Sequence, residues 1–106
     1  MSKSLAVKTS PEEAITLARQ YPNDVIKMIG YVTFKYGIFG EENNDLVNQI
    51  YGHLIGKALH KYNGQTQLHT FIGVVAKQCV RNYLKASQKR KNDFKIYLEQ
   101  PYTTQD

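Results

Sequence analysis

Apolar residues recur along this chain in four blocks with helical spacing. Ala14, Ile15, Leu17, Ala18 and Tyr21 form the first. Ser10-Pro11-Glu12-Glu13 precedes it: a residue able to cap, a proline suited to the first helical position, and a glutamate that completes a capping box. Pro22 predicts its end. A second helix is expected from Asn23 or Asp24, carrying Val25, Ile26, Met28, Ile29, Val32 and Phe34 to Gly37 or Gly40. The β-prone run Tyr31-Val32-Thr33-Phe34 competes with that reading. Residues 37–44 read as a loop, with Asn44 as the cap of the next helix.

The third block is the clearest. Leu46/Val47, Ile50/Tyr51, Leu54/Ile55, Ala58/Leu59 and Tyr62 predict one continuous helix of about five turns, ended by Asn63-Gly64. In the fourth, Leu68, Phe71, Ile72, Val75, Ala76, Cys79, Val80, Tyr83 and Leu84 share a face. Thr66 is a candidate cap, and the helix is expected to run into Ser87–Asp93. Four helices with short connections predict an all-α, compact four-helix bundle over residues 1–95. Residues 96–106, with Pro101 and Thr103-Thr104-Gln105, read as a linker or tail.

Charge changes the picture because it is localised. The net charge is +5. Residues 1–60 hold six basic and six acidic side chains, whereas residues 61–95 hold eight basic ones against Asp93 alone. A concentrated excess implies a polyanionic partner. Lys77, Arg81, Lys85 and Lys89 are four apart, so they form a ribbon beside the apolar face, extended by Arg90 and Lys91. Favourable interaction with the helix dipole explains cations in the last turns, but not Lys77 or Arg81. Phosphate contacts give affinity without sequence choice. The groups that can read bases lie in the loop Asn63-Gly64-Gln65-Thr66-Gln67, with His69 and Gln78 nearby. The bland alternative for that stretch is a polar turn with a cap.

Other classes find little support. His53, His60 and His69 lack a neighbouring carboxylate or cysteine at ligand spacing, so no metal and no cofactor is expected. No phosphate-binding loop or nucleophile motif occurs, which argues against an enzyme. Cys79 lies in the apolar stripe and reads as a core residue. No apolar run is long enough to span a membrane and no secretory signal is evident, so a cytoplasmic location without a membrane partner is the expectation.

Two stretches resemble region 2 of bacterial sigma-70-type initiation factors, especially the extracytoplasmic-function group. Asp45-Leu46-Val47-Asn48-Gln49-Ile50-Tyr51 is similar to the family's D-L-V-Q-E-V-F. Tyr62-Asn63-Gly64, Phe71-Ile72, Val75-Ala76-Lys77-Gln78 and Asn82-Tyr83-Leu84-Lys85 resemble its F-x-G, W-L-x-x-I-A-x-N and D-Y-L-R. The likeness covers about residues 20–92. Asn48-Gln49 replace Gln-Glu, Phe71 stands for Trp, Gln78 for Asn and Asn82 for Asp, and the stretch between the blocks is about one residue longer than common.

The resemblance implies that Asp45, Asn48 and Gln49 dock on the β′ clamp helices of the RNA polymerase core. It implies that Tyr62 to Thr66 capture an unpaired −10 base of promoter DNA, with Phe71 as a wedge, and that Lys77, Arg81, Lys85 and Lys89 hold the non-template single strand. Sigma factors of this type also carry a region 4. The chain is therefore expected to be a region-2-only protein or the front half of a longer one. Two alternatives stay open: a helical protein-interaction module gripped by an anti-sigma factor or another regulator, and a general DNA-binding domain without promoter melting.

Overall fold

The computed structural model describes residues 5–99, with side chains to Ser87. It is an all-α four-helix bundle: α1 (Pro11–Gln20), α2 (Pro22–Lys35), α3 (Gly40–Gly56) and α4 (Leu68–Glu99), with a 3-10 turn at Ala58–Lys61 between the last two. α3 and α4 each pack along α2 and meet one another over a shorter contact.

α1 begins as its sequence predicts. The Glu13 N–H donates to Ser10 Oγ at 3.2 Å, and Pro11 occupies the first turn. Pro22 has a second role: it opens α2, with only Tyr21 between the helices. The β-prone run is helical because Ile29, Val32 and Thr33 fall on the face that α2 buries, so tertiary burial overrides local propensity. Thr33 is fully buried. Its hydroxyl donates to the Gly30 carbonyl at 2.9 Å and accepts from Asn43 Nδ2 at 2.6 Å. The same amide donates to the Ile38 carbonyl at 2.7 Å, pinning the end of α2 to the start of α3.

α3 differs from its expected bounds at both ends. It starts at Gly40, after a reversal in which Gly40 takes φ +66°, and Asn44 lies inside the helix instead of capping it. It stops at Gly56, and Lys57 leaves helical geometry at φ −142°, ψ −57°. The reason lies in the periodicity. Apolar pairs every four residues drift by about 40° per repeat on a helix of 3.6 residues per turn. A straight helix would carry Leu59 almost to the face opposite the core. The 3-10 turn resets the register, so that Leu59 and Tyr62 are both buried.

α4 buries Leu68, Ile72, Ala76 and Val80 and half-buries Phe71, Val75, Cys79 and Tyr83, while Leu84 is exposed. Its first residue is Leu68, so Thr66 precedes the cap position and is not the cap. The backbone helix runs to Glu99, past the boundary expected at residue 95; residues 100–106 lie outside the described residues.

Candidate nucleic-acid interface

The loop before α4 is held from the other end of the chain. The Leu68 N–H donates to the Val7 carbonyl at 2.6 Å. Tyr62 is 1% exposed. Its hydroxyl donates to the Thr66 carbonyl at 2.5 Å and lies 3.5 Å from the Val7 carbonyl, and its ring packs on Phe71 with centroids 5.0 Å apart. Tyr62 is therefore a core anchor, and its expected role as a base contact is corrected: a side chain so enclosed presents no face to a ligand. What the loop offers outward is Asn63, Gln65 and Thr66, all exposed. Asn63 Oδ1 accepts the Gln65 N–H at 3.0 Å, which tightens the turn. Gly64 sits at φ +77° over the Thr9 backbone. His69 is half-buried at the head of α4.

Lys77, Arg81 and Lys85 are exposed along α4; the Lys89 side chain lies outside the described side chains. Spacing by four makes this ribbon wind by about 40° per step. It therefore starts at Lys77, beside the buried Val80, and crosses the outer side of α4 towards α3. By Lys85 it borders Gln78 and Asn82, and with Arg81 and Leu84 these line one shallow depression.

On the other side of Gln78 and Asn82 a larger groove, about 790 Å³, runs between α3, the 3-10 turn and α4. Leu46, Ile50, Phe71, Val75 and Cys79 supply its apolar surface, and Gln49, Gln78 and Asn82 its amides. His53, Lys57 and Lys61 line its α3 side, and among the described residues no carboxylate lines it. Near one end, the Tyr83 hydroxyl donates to a Glu42 carboxylate oxygen, joining the start of α3 to α4. Burial pushes the Cys79 thiol above its ordinary pKa, as expected for a group on the apolar side of such a groove.

No family model, curated protein or solved structure matches this chain.

The expected polymerase-facing residues divide. Asp45, Asn48 and Gln49 are all exposed on α3. Asp45 and Asn48 lie opposite the buried face of Leu46, Val47, Ile50 and Leu54, whereas Gln49 is turned towards α4 and lines the groove. The groove side brings together Gln49, Phe71 and Gln78, three residues singled out in the sequence for different reasons. Lys57, Lys61 and Cys79 join them unexpectedly. The i, i+4 spacing of Lys57 and Lys61 was a signal for the first two, although a 3-10 turn, not a helix, carries Lys61. Cys79 gave no signal, since a groove wall and a core position have the same hydrophobic pattern.

Proposed function

We propose that this chain is a transcription-initiation domain of the sigma region 2 kind, which binds RNA polymerase through the outer face of α3 and holds a partly opened promoter strand across α4. The observation that carries the reading is the pairing of an acid-free cationic ribbon with an amide-lined apolar groove beside it. Separating stacked base pairs costs a few kcal/mol per step, and a protein offsets that by binding the single strand better than the duplex. Lys77, Arg81 and Lys85 supply phosphate contacts. Gln78, Asn82 and Gln49 supply hydrogen-bonding groups for base edges, and Phe71 an aromatic surface for stacking. Asn63, Gln65 and Thr66 extend the same surface from the loop. The likeness to the sigma blocks supports the polymerase as partner, the −10 element as target and a cytoplasmic location.

The test is binding of an A/T-rich single strand, read by fluorescence anisotropy at two salt concentrations. With about 0.7 counterions released per single-strand phosphate contact, the three described cations predict roughly a tenfold loss of affinity for a threefold rise in salt. Lys77→Glu/Arg81→Glu should weaken binding by at least about tenfold and flatten the salt slope by about 1.4. Equal binding by wild type and this variant would sink the reading. Equal affinity for the duplex of the same sequence would favour a general DNA binder.

A further inference from the structure

A second surface, at the corner where α2 turns into α3, shares no residue with the α4 ribbon or its groove and adjoins the outer face of α3. Tyr31 is 64% exposed, Phe34 60% and Phe39 58%. Phe34 and Phe39 meet edge to face with ring centroids 5.0 Å apart, and Tyr31 lies one helical turn before Phe34, so the three form one continuous patch. With about 200 Å² per aromatic side chain, they leave roughly 350 Å² of ring surface open to water. The largest apolar patch on a small domain is commonly of about this size and is often functional.

The patch carries a projection and a recess together. Tyr31 stands out from α2 with Lys35 Nζ 5.1 Å from its ring centroid. Beside Phe34 and Phe39 is a shallow, open recess of about 280 Å³, lined by Gly30, Gly40, Asn43 and Asn44. It has room for one aromatic side chain. The charges also come in opposite pairs: Lys35 on the α2 side, and Glu41 in the first turn of α3. A surface with knob and hole, and with plus and minus, on one face is complementary to itself under a two-fold axis.

We infer that this corner is a homodimer interface, in which Tyr31 of each copy enters the recess beside Phe34 and Phe39 of the other, and Lys35 of each faces Glu41 of the other. A nucleic-acid strand is a poorer occupant, because Glu41, two residues after Phe39, repels phosphate. The rings bury about 700 Å² between two copies, so with flanking helix surface the interface falls at the small, transient end of the range. No residue of the α4 ribbon or of its groove belongs to the patch, so a dimer presents two nucleic-acid surfaces.

Sedimentation equilibrium of the full chain from about 5 to 500 µM tests this. Wild type should pass from monomer to dimer. Phe34→Ser should stay monomeric with an unchanged circular dichroism spectrum. Lys35→Glu and Glu41→Lys alone should each weaken the dimer by about tenfold, since each places like charges at two symmetric contacts. An equimolar mixture of those two variants should dimerise again, because each contact then pairs opposite charges across the axis. Monomeric wild type at the highest concentration overturns the inference. So does a dimer indifferent to Phe34→Ser, or a mixture of the charge variants that stays monomeric.

Discussion

Gly64 is the residue at which the candidate site has least freedom. Its φ of +77° is left-handed, and a Cβ there would lie 2.8 Å from the Thr9 carbonyl oxygen, a backbone atom that cannot swing away. Gly64→Ala should cost about 2 kcal/mol from the left-handed backbone and the clash together. For a domain of this size that lowers the thermal midpoint by about 10 °C, measurable by circular dichroism; an unchanged midpoint would contradict the packing of residue 64 on residue 9. Cys79 reports on the groove instead. Its raised pKa means that the folded chain keeps the thiol proton to higher pH than the unfolded chain. Its contribution to stability is thus intact below the unfolded thiol's pKa, and is lost as pH rises through the folded value. Alkylation by iodoacetamide at pH 8 should be slower for the native protein than for the denatured one. Bound single strand should slow it further if the groove holds a base; no added protection would place the strand elsewhere.

At the scale of elements, the proposed reading assigns different roles to the two sides of α3. Asp45→Ala/Asn48→Ala should reduce retention on a β′ clamp fragment by about tenfold while leaving strand affinity within about twofold. Gln49→Ala should do the reverse; loss of both activities in either variant would show that the faces are not separate. The start of α1 was legible because Ser10 and Pro11 act within one turn. The bounds of α3 were not, since a four-residue repeat looks continuous in sequence while its face rotates steadily away from the core. The ribbon on α4 could be read directly, because i, i+4 neighbours need no tertiary knowledge. The groove could not, because it exists only where α3 and α4 come side by side. Tyr62 shows the same limit: the third apolar block pointed it to the core while the sigma likeness pointed it to a base, and only Val7 and Thr66 in space show that it is enclosed.

Over the whole molecule, the charge asymmetry has a structural counterpart. The neutral first 60 residues build most of the scaffold, and the basic stretch after them supplies the ribbon and one wall of the groove. The one place where the order reverses is the segment Leu5–Thr9, which is among the first parts of the chain but underlies the loop before α4: Leu5 is fully buried, Val7 accepts from Leu68, and Thr9 lies against Gly64. During synthesis at about 5–20 residues per second, those first residues wait several seconds before their partners about 60 positions later have been made. The helices in between can form and pair locally in that time, whereas the loop can set only when the two distant pieces meet. The face proposed for nucleic acid is thus among the last parts of the nascent domain to be completed, and a nascent chain halted before residue 68 lacks both that face and the α4 side chains that close the core.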